Sequence, residues 1–262
     1  MKSSSEIEEI CRKYGINNYT INEDGTIDVE GYIDLSNRRL AKFPIIFNKL
    51  IGAMDCGYNR LQDLVGSPRY VSGYFMCVGN GLKKLDGSPV NLDGSFNCNF
   101  NKLTSLNNGP VKINGSFSCN DNLLTSLEHL PEGITDIFDC GVNNITSLEN
   151  GPLEVKDYYC HKNELTSLKG CPRIVKNDFN FSNNKIYNID YFPEYVGDRI
   201  ILHGTPLSCI MGGIVDMDFI KRFDSYKVLK DGRVDLKRLK YLMEISDMEY
   251  DLDKIKEHYE IN

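Results

Sequence analysis

The sequence is poor in the residues that usually build a catalytic site. Its 262 residues carry four histidines, His129, His161, His203 and His258, whereas catalysis needs a nucleophile, a base and an orienting group to converge. His161 and His203 share an outward strand position two repeats apart, roughly 10 Å by sheet spacing, too far to share a metal. His129 and His258 read as solvated surface residues. Cys160 stands beside His161, but neighbouring strand residues point to opposite faces, which argues against a thiol–imidazole pair. No two of the nine cysteines lie two to four residues apart, so the paired ligands of a zinc site are missing. No glycine loop leads from a strand into a helix to cradle a phosphate. The expectation is a protein that is not an enzyme, with no catalytic residue, no metal and no cofactor.

Two further absences bear on location and partners. No segment approaches the run of about 18 apolar residues that a membrane span requires, and the opening Met1 to Glu6 lacks the apolar stretch of a signal peptide. The expected location is the cytoplasm, where thiols stay reduced. The net charge of −7 is spread evenly, −2 over residues 1–26, −3 over 27–210 and −2 over 211–262. Nucleic-acid binding draws on a basic stripe that neutralises phosphates, and none is present, so neither nucleic acid nor membrane is expected as a partner. With 41% hydrophobic residues the chain can still bury a core.

Repetition is what the sequence does contain. Cys56, Cys77, Cys98, Cys119 and Cys140 fall 21 residues apart and Cys160 follows at 20. With the cysteine as position zero, an aromatic or apolar residue stands at minus two, asparagine at plus three, leucine at plus five and plus eight, and proline about twelve on. Minus two and zero alternate with polar neighbours, the period of a strand with one buried face. Stacked about 4.8 Å apart, such strands become rungs of a parallel sheet with the leucines closing the core behind. The cysteines then pack inward as small apolar residues. Asn59, Asn80, Asn101, Asn122, Asn143, Asn163 and Asn184 lie in register, each amide expected to bond the bend and the next coil. Gly73, Gly94 and Gly115, at minus four, fall on the inward parity. Pro68, Pro89, Pro110, Pro131, Pro152, Pro172 and Pro193 hold the return stretch extended. Degenerate copies centred on Leu35, Phe181 and Leu202 bring the count to nine coils.

The pattern L-x-L-x-x-N-x-L-x-x-L, with cysteine in the second place, resembles a leucine-rich repeat. The cadence G-x-F-x-C-x-x-N-x-L-T-S-L-x-G-x-P and the lead-in from Ile21 to Val29 are similar to an uncharacterised repeat family of large tailed bacteriophages. There is a weaker similarity to the repeats of type III effectors, whose convex Leu-Pro pair is met here only at Leu130-Pro131. Those effectors that are ligases use a cysteine in a large separate helical domain, for which this chain has no room. The resemblance implies an α/β repeat solenoid, leucine-rich-repeat-like, with a parallel sheet on its concave face. It also implies a phage-encoded protein of the host-cell cytoplasm.

The ends break the cadence. Residues 1–26 read as a cap: a helix over 5–14 with Ser5 and Glu8 as a capping box and Gly15 at its stop, then a hairpin over Glu23 to Thr26. The solenoid runs from 27 to 210. Residues 211–262 read as a helical C-terminal cap, with helical spacing in Ile214, Phe219, Ile220 and Phe223, then in Leu236, Leu239, Leu242 and Met243, then in Leu252, Ile255 and Tyr259, and a hairpin at Asp231-Gly232. A small effector domain is the sharper alternative for this segment.

Strand parity puts positions minus three, minus one and plus one on the open side. Tyr32, Tyr74, Met76, Val78, Tyr159 and His161 fall there, with Tyr58 and Phe100 at the rim, while Asp34, Asp55, Asp157, Asp178 and Arg199 are among their outward neighbours. Clustered aromatics and methionine mark interfaces, so these eight are the candidate partner-binding residues. The face measures about 500 Å² in projection, less than the roughly 800 Å² per side of a stable complex, so a partner would also use a flank. The expected function is a non-enzymatic protein-binding module, implied by the resemblance to serve host takeover or counter-defence. The alternative is a structural or virion-associated assembly protein.

Overall fold

The structure, a computed structural model, describes residues 2–262. It is a parallel β-solenoid of about eight turns of roughly 21 residues with few helices. The chain divides into two compact units, Met1–Asn143 and Asn144–Asn262, so the division falls inside the repeat run.

In the first unit, helix α1 (Ser4–Tyr14) leads into β1 (Tyr19–Ile21), β2 (Ile27–Asp34) and β3 (Phe47–Asp55). Four two-residue strands follow, β4 (Tyr70–Val71), β5 (Phe75–Met76), β6 (Asn91–Leu92) and β7 (Phe96–Asn97), and then β8 (Lys112–Ser118) and β9 (Glu132–Asp139). The hairpin strand β1 runs antiparallel to β2; every other pairing in the unit is parallel. The helix begins one residue earlier than the sequence suggested, and its cap lies two residues earlier. Ser3 is its N-cap and Glu6 closes the capping box, in place of Ser5 and Glu8, while Gly15 ends it in the left-handed conformation at φ 69°.

Strand pairing in each coil covers two stretches, separate in β4/β5 and β6/β7 and merged into one strand in β2, β3, β8 and β9, where the sequence reading supplied one. The earlier segment begins one or two residues after the repeat proline and buries a residue at minus six: Val29, Leu50, Val71, Leu92, Ile113 and Ile134. The later segment buries the aromatic at minus two and the thiol at zero. Phe75, Phe96 and Phe117 stack face to face from coil to coil, 5.8 and 5.7 Å between ring centres. Between the segments the backbone bends at minus four, where coils press together. A β-carbon on Gly73 would lie 2.7 Å from the Gly52 carbonyl oxygen, and one on Gly94 2.5 Å from that of Gly73. The missing side chain therefore makes room along the stack, not toward the core as strand parity implied.

The asparagines close the first corner. Asn122 accepts from the Leu103 amide at 3.0 Å and donates to the carbonyls of Cys98 and Cys119 at 3.1 and 3.0 Å. It thereby ties its own coil to the preceding one. Asn59, Asn80, Asn101 and Asn143 make the same three kinds of bond. The residue before each asparagine is left-handed: Tyr58, Gly79, Phe100, Asp121 and Val142 all have φ between 52° and 63°. A second left-handed corner at plus ten is taken by Gly66, Gly87, Asn108 and His129. That gives His129 a backbone role the sequence did not reveal.

The second unit repeats the scheme. Strands β10 (Glu154–Val155), β11 (Asp157–Tyr159), β12 (Ile174–Val175), β13 (Phe179–Asn180), β14 (Tyr195–Val196) and β15 (Ile200–Ile201) form two parallel ladders, β10-β12-β14 and β11-β13-β15. Asn163 and Asn184 accept from the amides of Ile145 and Leu165. The ninth coil is not completed. Thr205 stands where asparagine would turn the corner; its hydroxyl donates to the Leu202 carbonyl and accepts from the Ser208 amide, leading into helix α2 (Ser208–Met211). Ile214 then lies not in a helix but in β16 (Ile214–Val215), which pairs antiparallel with β15. Helices α3 (Met217–Ser225), α4 (Leu236–Ser246) and α5 (Leu252–His258) follow, with a hairpin of β17 (Leu229–Lys230) and β18 (Arg233–Val234) between the first two. The last strand, β19 (Glu260–Ile261), pairs with β18. Tyr259 lies just past α5 and donates its hydroxyl to the Tyr187 carbonyl at 2.7 Å, seating this segment on the solenoid.

Two substitutions test the corners by urea unfolding. Asn122→Ala strands the buried Leu103 amide and takes one of two side-chain donors from each of the Cys98 and Cys119 carbonyls, which keep Asn101 and Asn143; it is expected to lower stability by about 2 kcal/mol, more than any exposed change. Val142 holds a β-branched side chain in a conformation that disfavours it by roughly 1–2 kcal/mol, so Val142→Asn is expected to raise stability by about 1 kcal/mol.

Candidate protein-binding face

The outward surface of the first unit is set by the thiols behind it. Cys56, Cys77, Cys98, Cys119 and Cys140, and Cys160 in the second unit, are fully buried. The Cys56 thiol donates to the Met76 carbonyl at 3.2 Å, and Cys77 and Cys98 repeat the bond one coil on each time. Burial pushes all of the first four thiols upward in pKa. With the thiols inward, alternate neighbours must project outward.

Tyr32 and Tyr74 are 55% and 40% exposed. Tyr32 lies on β2 and Tyr74 just ahead of β5, two rungs on, yet their ring centres lie 6.2 Å from each other. The rung between them carries Ala53 in register with Tyr32, small enough for the rings to lean together above it. Burial, with the charge of Asp55 adding to it, pushes the Tyr32 hydroxyl up to about 12. Met76 and Val78 are half-buried beside this pair. Tyr58 and Phe100 occupy left-handed corner positions and are 60% and 53% exposed. Between them comes Gly79, and the Tyr58 ring lies 2.7 Å from where a Gly79 β-carbon would stand. The glycine thus gives that ring its bed.

Asp34 and Asp55 are register partners on β2 and β3. Each carboxylate accepts from the backbone two residues on, Asp34 from the Ser36 amide and hydroxyl, Asp55 from the Gly57 amide. The hydrogen bonds from Ser36 hold the Asp34 carboxyl below its ordinary range. Aromatic rings and paired carboxylates therefore share the early coils.

Tyr159 and His161 lie in the second unit, both half-buried. Burial, followed by the charges of Asp157 and Asp178, pushes the Tyr159 hydroxyl up to about 12. Asp178 is not an open outward residue as parity suggested: it is 7% exposed and gripped by Arg199, whose Nε lies 3.1 Å away. The Arg199 hydrogen bond draws its carboxyl below the ordinary range. One period of 21 residues makes the two stacked neighbours, but spacing alone could not show that their side chains close on each other rather than face outward.

Among the described residues no group of three or more His, Cys, Asp or Glu could hold a metal ion. No helix among them is long and apolar enough to cross a membrane. A recess of about 490 Å³ in the second unit is lined by Tyr187, Asp190, Asp224, Lys227, Lys230 and His258, among others. Its Lys227 ammonium already donates to Asp224 at 3.0 Å.

Thiol labelling tests the inward ladder. Native protein is expected to react only at the half-buried Cys171 and Cys209, and slowly, because burial pushes them to about 12 and about 11. Denaturant is expected to release all nine; rapid native labelling at Cys98 would invert the assignment of faces. No protein-family model and no curated protein matches this sequence.

Proposed function

We propose that the chain is a non-enzymatic protein-binding module, leucine-rich-repeat-like, with the early coils as its capture surface. The observation that carries this reading is the Tyr32–Tyr74 ring pair, set among Tyr58, Met76, Val78 and Phe100 on a sheet face whose next coils present Asn97, Asn99, Ser118 and Asn120. Solvent-facing aromatics of this size in one neighbourhood are the usual anchors of protein interfaces. On this reading α1 with its hairpin, and the C-terminal helices, cap the solenoid and keep its ends from aggregating. The repeat cadence supports a phage-encoded protein acting in the host cytoplasm on a host or viral protein.

The test is affinity capture from infected and uninfected cells with the intact chain and with Tyr74→Ala combined with Met76→Ala. The double variant is expected to lose the captured protein while its melting temperature stays unchanged. Undiminished capture would end this reading.

A further inference from the structure

The solenoid's first rung has an open edge. In the repeat, the residues with outward side chains turn their backbone groups toward the preceding coil: the Asp55 carbonyl accepts from Leu35 and the Gly57 carbonyl from Asn37. The corresponding groups of β2 belong to Tyr32 and Asp34, and no coil precedes them. Strand β1 covers β2 only from Ile27 to Val29, and one more bond joins the Glu30 amide to the Asn18 carbonyl. Beyond that point cover ends. A β-carbon on Gly52 would strike the preceding coil at 1.9 Å, but one on Gly31, at the same place in the first coil, would meet nothing within 4 Å. By the same parity the amides of Tyr32 and Asp34 point away from β3, and among the described residues no turn, loop or side-chain group accepts from them. Such an edge is a template for an added strand.

Its charge selects the occupant. Glu30 and Asp34 alternate along the exposed stretch, and Asp55 lies one rung in from Asp34. Neighbouring cations are engaged elsewhere: Arg38 lies over the Tyr14 ring at 5.5 Å and Lys49 over that of Tyr70 at 5.8 Å. A second copy pairing antiparallel about Tyr32 would set Glu30 opposite Asp34, and like charges directly opposite destabilise a sheet. A strand bearing lysine or arginine at alternate positions would meet carboxylates instead, with the Tyr32 ring beside its cations.

We propose that the free edge of β2, from Glu30 to Asp34, binds an extended basic segment of a partner protein by strand addition. This rests on the reading of the chain as a protein-binding module and names the partner's chemistry. Gly31 lets the incoming backbone approach closely, as glycines do at the same position between later coils.

Fluorescence anisotropy of a labelled eight-residue peptide alternating valine with lysine, added to the full chain, tests this, with the valine–glutamate peptide as control. The basic peptide is expected to bind and the acidic one not. Tyr32→Ala and Tyr32→Pro both remove the ring, but only proline removes the edge amide, and an outward-facing edge amide can be replaced without loss of a ladder bond. The expected result is a change in Kd below about threefold for alanine and a weakening of about tenfold or more for proline. Glu30→Gln with Asp34→Asn is expected to weaken binding similarly, while Glu128→Gln with Glu132→Gln, the same charge change elsewhere, leaves it unaltered. If Tyr32→Pro fails to fold, hydrogen exchange on the intact chain decides: the peptide must slow exchange at Tyr32 and Asp34. Equal effects of alanine and proline, equal binding of both peptides, unslowed exchange, or a dimer in light scattering that Tyr32→Pro dissolves would each overturn the proposal. Capture that needs Tyr74 and Met76 but survives Tyr32→Pro would sink the edge and leave the proposed function standing.

Discussion

The structure depends on one side-chain amide used repeatedly. A coil of about 21 residues cannot satisfy every backbone polar group at its corner, because the coil-to-coil backbone bonds there leave an amide and a carbonyl over. The asparagine at that corner accepts from one backbone amide of the preceding coil and donates to carbonyls of both coils. The residue before it must then turn left-handed to aim the side chain inward. Glycine, asparagine and aspartate tolerate that turn; Tyr58, Phe100 and Val142 endure it because the corner on either side is over-determined. Where asparagine gives way to Thr205, the same corner opens into a helix and the coil ends.

From this constraint the exposed surface follows. A fixed corner fixes the register, and a fixed register sends thiols and phenylalanines inward as continuous columns. Their alternate neighbours form the outward wall whatever their chemistry, so that wall is free to vary without disturbing the stack. In the early coils it has been filled with tyrosines, methionine and carboxylates; further on it is filled with asparagine and serine. Tyr58 and Phe100 show how the two layers interact, since their exposure comes from the strained corner itself rather than from strand alternation.

The first rung differs from the others in having no coil before it. Repetition makes every internal coil both donor and acceptor, and the first one keeps the unmatched half. The hairpin meets part of that need, and the acidic residues along the remainder discourage pairing between copies.

The repeat, its period, the buried thiols and phenylalanines and the asparagine positions were legible in the sequence, because each is a local preference copied many times and copying averages out noise. The helix cap was misplaced by two residues, since Ser3-Ser4-Ser5 offers three equivalent hydroxyls and only the chain's path picks Ser3. Three things needed the folded chain. The second strand segment is too short to show alternation, and the left-handed corners accept tyrosine, phenylalanine and valine, so no residue type announces them. Likewise the Tyr32–Tyr74 contact, the Asp178–Arg199 pair and the uncovered edge at Gly31 join or separate residues by the stacking of coils. A sequence states what lies one period apart; only the stack decides which side chains lean across a small neighbour, and which end has no neighbour at all.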